Sequence, residues 1–410
     1  MLDSIAAAAV TSRLKRITDG HLIVRDGAQT IAMGDASARA VTVTVHDRRF
    51  YSALAFGGHL GAAESYFEGY WSVDDLTALT QLFVRNRNAL EQLDSGWAWL
   101  ARPASALYHA LRRNTRSGSR SNIAAHYDLG NEFFSLFLDD TLTYSCGVFE
   151  SPASTLRDAS VAKYDRLCRK LDLGPDDHVL EIGTGWGGFA MHAAATYGCR
   201  VTTTTISREQ YAMARTRIEQ AGLADRVTVL NQDYRDLTGR YNKLVSIEMI
   251  EAVGHQYFET FFRRCAALLT PDGRMAIQAI TIQEQLYEAA RDNVDFIKRY
   301  IFPGSCIPSV GALRGAAGVT DLQIVHSEAI GLHYAETLKR WRHGFAANWP
   351  RISALGFPDS FARLWEFYFC YCEGGFLEGA INDMQLVFSK PADVASGTAL
   401  MFPPLGAPTR

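Results

Sequence analysis

What most limits the fold of this chain is a glycine-dense turn set between a strand and a helix. In VLEIGTGWGGF, Val179, Leu180 and Ile182 make a short buried-strand signal, Gly183, Gly185, Gly187 and Gly188 follow, and an Ala-rich helical pattern runs from Phe189 to Tyr197. Glycine lets backbone pass close under a ligand where side chains would block it, and the N–H groups of a helix start point at the ligand's polar end. The order strand, glycine turn, helix predicts a nucleotide-cofactor cradle; the plainer alternative is an ordinary tight turn. The spacing, GxGxGG with Glu181 at the end of the strand, is closer to S-adenosylmethionine sites than to GxGxxG dinucleotide sites.

Strands and helices alternate around this turn. A helix over Ser154 to Leu173 leads into it, and CRVTTTTIS reads as a strand, REQYAMARTRIEQAG as a helix closed by Gly222, and RVTVLNQD and YNKLVSIEMI as strands. LLTPDGRMAIQAITI, with a Pro-Asp-Gly turn feeding a strand, and DMQLVFSKP follow. The pattern predicts an α/β fold: a doubly wound, Rossmann-like parallel sheet with helices on both faces and ligands beyond the carboxyl ends of its strands. Ahead of it, HLIVRD and AVTVTVHD read as strands and YFEGYWSVDDLTALTQLFVRNRNAL as a helix with Asp74 and Asp75 near its start, which predicts a smaller mixed α+β N-terminal domain over residues 1–100. Arg102, Arg112, Arg113, Arg116 and Arg120 then fall among Ser, Gly and Asn, marking a basic linker over 101–121. A short helix there, carrying Leu107, Tyr108 and Leu111 beside Arg112 and Arg113, would suit anionic lipid headgroups; a solvated linker accounts for the same residues equally well. The catalytic domain is expected over 122–392, with a tail over 393–410.

A formal charge of −3 argues against a dominant nucleic-acid role. The seven cysteines show no CxxC pair and no His/Cys ligand spacing, so a reducing compartment without structural zinc or another metal is expected. The N-terminus makes a poor signal peptide, and no run approaches the roughly 18 apolar residues of a membrane span. A cytoplasmic protein, attached to a membrane at most at its surface, is the expectation.

The motifs HYDLGNEFF, TYSCGVF, VLEIGTGWGG, TTISREQ, SIEMIEAVG, RYIFPG and CYCEGGF occur in one order, covering about Asn122 to Pro391. In them the chain resembles the cyclopropane-fatty-acyl-phospholipid synthase family, S-adenosylmethionine-dependent methyltransferases that include the mycolic acid cyclopropane synthases. The N-terminal region looks like that family's accessory, lipid- and membrane-associated domain. The resemblance implies transfer of a methyl group from S-adenosylmethionine to the cis double bond of an acyl chain on a membrane phospholipid, followed by proton loss and closure to a cyclopropane. It also implies work at the inner membrane surface, with a homodimer as a candidate assembly. An alkene is a feeble nucleophile, so such a site holds it about 3 to 3.5 Å from the methyl carbon and excludes water.

By matching position, Tyr144 and Ser145 would close over the cofactor and Glu181, Gly183, Thr184, Gly185, Trp186, Gly187 and Gly188 would wrap its amino-acid end. Thr205, Ile206, Ser207 and Gln210 would lie by the ribose, with Gln210 taking the place of the acid that many nucleotide folds carry, and Asp233 and Tyr234 would belong to the adenine end. The resemblance further implies a bicarbonate ion as bound base. It would be held at Cys146 (through backbone), Glu251, Gln278, Ile280 (through backbone) and Tyr334. Gln278 replaces a histidine of the family; it can donate to an anion but is never positive and cannot itself shuttle a proton. That departure makes a methyl-branched or methylene product without ring closure the alternative, and a lipid-binding protein without catalysis is the alternative of another class. Glu248, three residues before Glu251, would share a face with it in a helical turn or oppose it in a strand; two carboxyls brought close could supply a protein base instead of the ion. Cys372 matches a cysteine regarded in the family as the nucleophile, yet no Lys or His neighbours it in sequence to form a thiolate, and a pocket-wall role fits as well. Phe296, Tyr300, Phe302, Trp341, Phe345 and Trp349 read as wall and core of an acyl tunnel, with YIFPG as a lid or pocket element.

Overall fold

The computed structural model describes residues 2–90 and 129–395. The basic linker, His126 and Tyr127 of the HYDLGNEFF motif, and the tail beyond residue 395 lie outside the described residues.

The larger sheet has seven strands in the order β10-β11-β9-β8-β5-β6-β7. They are β5 (His178–Ile182), β6 (Arg200–Thr204), β7 (Val227–Leu230), β8 (Tyr241–Ile247), β9 (Leu269–Ile282), β10 (Gln323–Ala329) and β11 (Ile381–Ser389). Strand β5 is buried at Val179, Leu180, Glu181 and Ile182, as a strand covered on both faces must be. The sheet is not wholly parallel as the alternating pattern suggested: β11 runs antiparallel to both β9 and β10. The sequence reading also passed over β10, whose residues alternate exposed and half-buried at the sheet edge.

The helix before β5 runs Leu156–Leu171 and starts in a capping box, with the Thr155 hydroxyl accepting from Asp158 N–H and the Asp158 carboxylate accepting from Thr155 N–H. It is tied to the sheet edge by charge: Arg166 donates to both Glu328 oxygens, and Lys170 Nζ donates to Glu328 Oε2 at 2.6 Å. Burial pushes the Glu328 carboxyl up, but the bonds from Arg166 and Lys170 outweigh it and hold the group at about 2. A depressed folded value stabilises the fold above the ordinary carboxylate range and is lost as pH falls toward 2. Glu328→Gln is expected to lower the urea midpoint at neutral pH and to converge with the unaltered protein near pH 2; a constant gap at every pH would contradict this.

A smaller sheet, in the order β2-β1-β3-β4, holds β1 (His21–Asp26), β2 (Gln29–Gly34), β3 (Ala40–Val45) and β4 (Trp71–Val73). The stretch read as one helix from Tyr66 is four elements: the end of the helix Arg49–Phe67, then β4, then the helix Leu76–Arg85 capped by the Asp75 side chain, then the short helix Arg87–Leu90. The helix Leu76–Arg85 packs on the long helix Asp359–Leu377. A Cβ on Gly374 would lie 2.7 Å from Thr80 Cβ, so the close approach depends on glycine there. Thr77 and Arg342 both donate to the buried Glu373, joining the small sheet's helices to the core under the catalytic sheet. That core is aromatic, with Phe133, Phe134, Trp341, Trp365 and Phe369 all buried.

Candidate active site

One large cavity opens at the carboxyl ends of β5, β6, β8 and β9, where Glu181, Thr204, Glu248 and Ile280 line it. Its floor is the glycine turn. Gly183 has φ +107°, Gly185 +52° and Gly187 +87°, values that favour glycine, and N–H groups of Gly183 and Thr184 both donate to Thr204 O. Nothing lies within 4 Å of where a Gly185 Cβ would stand. At the end of β5, Glu181 is 2% exposed and its Oε2 has no hydrogen-bond partner; burial pushes its carboxyl up to about 8. A buried orphan acceptor beside open backbone is what a ligand with an ammonium group requires, and S-adenosylmethionine has one at its amino-acid end.

Most residues expected around the cofactor reach the cavity wall: Tyr144, Ser145, Thr184, Trp186 and Gly188 at one side, and Thr205, Ile206, Gln210, Asp233 and Tyr234 at the other. Gly187 and Ser207 do not line it. Gly187 starts the helix Gly188–Tyr197, and the Ser207 hydroxyl caps the helix Arg208–Gln220 by accepting from Gln210 N–H. Gln210 Oε1 accepts from the Thr205 hydroxyl at 2.9 Å, which holds its amide group near the end of β6. Asp233 forms a fork with Arg235. The Tyr144 ring stacks on Trp341 with its hydroxyl against Tyr368.

The residues expected to hold an anion do converge, but around a carboxylate of the chain itself. Glu248 sits just past β8 with φ +47°, and this left-handed turn of the backbone accompanies a side chain directed into the cluster. Its Oε1 accepts from Cys146 N–H at 2.8 Å and Gln278 Nε2 at 2.8 Å, and its Oε2 accepts from Tyr334 OH at 2.6 Å. Glu251, in the turn Ile250–Ala252, instead takes the Ile280 N–H at 2.5 Å and leaves Oε2 buried without a partner. Burial, and then the nearby Glu248, push the Glu251 carboxyl up to about 8; Asp383, fully buried beside them, is pushed well above the usual carboxylate range for the same reasons. Three carboxyls thus lie together beside the cavity, and of them Glu248 is the one that accepts from three donors. Lys163, also fully buried, donates to Ser145 Oγ at 2.6 Å and faces the cluster; burial pushes its ammonium down while Glu248, Cys146 and Asp383 pull it back. A bicarbonate ion does not fit this arrangement, because Cys146 N–H, Gln278 and Tyr334 already donate to Glu248.

The profile of a family described as Mycolic acid cyclopropane synthetase matches residues 114–386. The chain belongs to this family. Tuberculostearic acid methyltransferase UfaA1 of Mycobacterium tuberculosis is 39% identical over 93% of this chain and 91% of its own length. Cyclopropane-fatty-acyl-phospholipid synthase of Escherichia coli is 36% identical over 85% of this chain and 87% of its own. Among solved structures, mycolic acid cyclopropane synthase CmaA1 complexed with SAH and CTAB superposes with a TM-score of 0.62 at 30% identity, covering 66% of this chain and 98% of that one. The protein is therefore an S-adenosylmethionine-dependent methyltransferase of a lipid-modifying family.

Within this methyltransferase Cys372 lines the cavity, but burial pushes its thiol far up, and no cation is among the groups acting on it. These surroundings favour the thiol over the thiolate, in keeping with a place in the cavity wall. Cys372→Ser is expected to keep turnover within about threefold, measured with labelled cofactor; a loss beyond a hundredfold would restore the nucleophile reading. Phe302 and Pro303 of YIFPG also line the cavity, whereas Tyr300 is partly exposed and donates to Glu64. Sequence reasoning missed Lys163, Lys170, Asp383 and Gln385. Lys163 and Lys170 stand seven apart on one helix, and Asp383 and Gln385 two apart on a strand, so the two members of each pair share a face.

Proposed function

We propose that this enzyme methylates the cis double bond of an unsaturated phospholipid acyl chain and leaves an open-chain, methylene-branched product. When bound, S-adenosylmethionine supplies a methyl group on a positively charged sulfur, an electrophile that the alkene's π electrons can attack. The new carbon–carbon bond replaces the methyl–sulfur bond, whose electron pair stays on sulfur in the departing S-adenosylhomocysteine, and a cation is left on the neighbouring alkene carbon. If the added methyl loses a proton at once, its electron pair closes a three-membered ring. If a hydride first moves from the methylated carbon to the cationic one, a tertiary cation forms, and loss of the methyl proton then gives an exocyclic methylene. Either way one proton leaves the added methyl group, so the site needs a base.

The observation that carries the open-chain reading is the triple hydrogen bonding of Glu248. Both lone pairs of Oε1 are engaged and one of Oε2, so a single acceptor direction is left for the proton. On this reading the base takes the proton after the hydride has moved. Apolar walls such as Ile297, Phe302 and Phe376 exclude water that would trap the cation, and the rings of Tyr368 and Phe376 face the same space. Ring closure, the first expectation from the sequence, is the second reading; it is supported by the nearness of its expected residues, Cys146 and Tyr334 donating to Glu248 and Ile280 donating to the neighbouring Glu251. A surface attachment to the membrane follows from a phospholipid substrate, and no described helix is long and apolar enough to cross a membrane.

Vesicles of an unsaturated phosphatidylglycerol incubated with methyl-labelled cofactor, followed by proton spectroscopy of the acyl product, test the proposal. An exocyclic olefinic CH2 signal is expected. A strongly shielded ring-methylene signal would establish cyclopropane instead, and no label in the lipid would remove both. Mass alone does not serve, since both products gain the same CH2.

A further inference from the structure

Behind Glu248, on the side away from the cavity, a line of buried polar side chains crosses the sheet. Lys170 Nζ donates to Gln385 Oε1 at 2.6 Å, Gln385 Nε2 donates to Gln278 Oε1 at 2.9 Å, and Gln278 Nε2 donates to Glu248 Oε1 at 2.8 Å and to Asp383 Oδ2 at 2.9 Å. Gln278 and Gln385 are opposite partners in the β9–β11 pairing, so the backbone register itself brings their amides together. Gln278, Gln385 and Asp383 are 0% exposed and Lys170 1%, and none of these side chains lines the cavity. At its outer end Lys170 is anchored by Glu328.

Buried polar groups in a catalytic sheet cost stability unless each finds a partner, so a line this long calls for an account. An amide has nearly the same shape whichever way it faces, and its neighbours decide the orientation. An ammonium only donates, so Gln385 must turn its carbonyl toward Lys170. Its NH2 then faces Gln278, whose carbonyl must accept, and the Gln278 NH2 is left to face the two carboxyls. One hydrogen goes to Glu248 and the other to Asp383. Were Gln278 reversed, its oxygen would meet Glu248 Oε1 at hydrogen-bond distance, and two oxygens sit so close only with a proton between them. Glu248 would then already hold the proton it has to accept.

We infer that Lys170 and Gln385 are positioning residues for the methyl-transfer reaction: they fix the direction of the Gln278 amide and so keep Glu248 a free proton acceptor. The inference rests on the reading of Glu248 as the base. The line orients and does not conduct, since an amide passes a proton only through a disfavoured tautomer. The other groups that face Glu248 are Lys163 from the helix Leu156–Leu171, Glu251 from the turn after β8, Tyr334 from the helix Gly331–Ala347, Asp383 from β11 and the Cys146 thiol. None of them contacts the far face of the Gln278 carbonyl, which is left to Gln385.

The test uses the full chain with unsaturated phosphatidylglycerol vesicles and labelled cofactor. Gln385→Glu keeps the shape and still accepts from Lys170 but offers no N–H to Gln278; Lys170→Met keeps the length and removes the donor. Both are expected to lower turnover at least tenfold while the cofactor dissociation constant stays within about twofold, and Lys170→Arg, again a pure donor, is expected to restore turnover to within about threefold of the unaltered enzyme. Glu248→Gln is run beside them. Turnover of Gln385→Glu and Lys170→Met within threefold of the unaltered enzyme, with Glu248→Gln inactive, would overturn the orienting role and leave the base in place. Loss of cofactor binding in step with turnover would also overturn it, as the sign of a structural role. Full turnover by Glu248→Gln would instead remove the base reading on which the inference stands.

Discussion

Glu248→Gln is expected to lower methyl incorporation into lipid by about a hundredfold or more, the range for removing a positioned general base, with cofactor affinity nearly unchanged. The substitution keeps the size of the side chain. Its carbonyl oxygen can still accept from the Cys146 N–H and Gln278 NH2, and its NH2 can donate to the Tyr334 hydroxyl oxygen, so what is lost is the capacity to take a proton. Tyr334 stays a neutral hydroxyl because burial, with Glu248 next, pushes its phenol well above the ordinary value. Glu251→Gln is the informative contrast. Burial with Glu248 nearby holds that carboxyl at about 8, so it is neutral at pH 7, and its one bonded oxygen accepts from Ile280 N–H as an amide oxygen also would. A loss of less than tenfold is expected there. Two adjacent carboxyls, one accepting from three donors and the other from a single backbone N–H, have separate roles. Equal loss from both substitutions would contradict that division, and turnover of Glu248→Gln within fivefold of the unaltered enzyme would contradict the base itself.

The second large effect is expected at the glycine turn. Gly183 has φ +107°, outside the left-handed basin that other residues tolerate, and an added Cβ would come within 3.2 Å of Met249 Cγ. Forcing a residue with a side chain into such a conformation costs about 1–3 kcal/mol, and here the turn can relieve it only by moving away from its two bonds to Thr204 O. Gly183→Ala is therefore expected to weaken cofactor binding by about ten- to hundredfold, from the same 1–3 kcal/mol, as read by calorimetry. Gly222→Ala, at φ +68° with nothing within 4 Å, serves as the control for strain alone. An unchanged affinity for Gly183→Ala would contradict the cradle's dependence on that backbone shape.

The cradle was legible because its signal is local. Glycine spacing, a buried strand and Glu181 all fall within one stretch, and ordered motifs on either side identify the family. The order of the sheet was less so: β10 alternates too weakly at the edge to announce itself, and nothing in DMQLVFSKP says that it returns antiparallel. The N-terminal helix reading failed at Trp71 because a strand of only three residues leaves no period to read. At the carboxyl cluster, position matching named Cys146, Gln278 and Tyr334 as holders of an outside anion, whereas in the structure all three donate to Glu248. The deciding feature is the left-handed backbone at Glu248, a non-glycine residue whose φ no periodicity reports. Lys163, Asp383 and Gln385 were invisible for a related reason, since a charged or polar residue in an apolar run reads as an exception until a partner from another element is seen opposite it.

The claim that Glu248 fills the place of an external base is tested most directly by turnover in buffer stripped of bicarbonate and then resupplied with it, for the unaltered enzyme and for Glu248→Gly. The account predicts no response from the unaltered enzyme, and for Glu248→Gly a low turnover that bicarbonate raises, because the Cys146, Gln278 and Tyr334 donors are then left without their carboxylate. Stimulation of the unaltered enzyme by bicarbonate would contradict it.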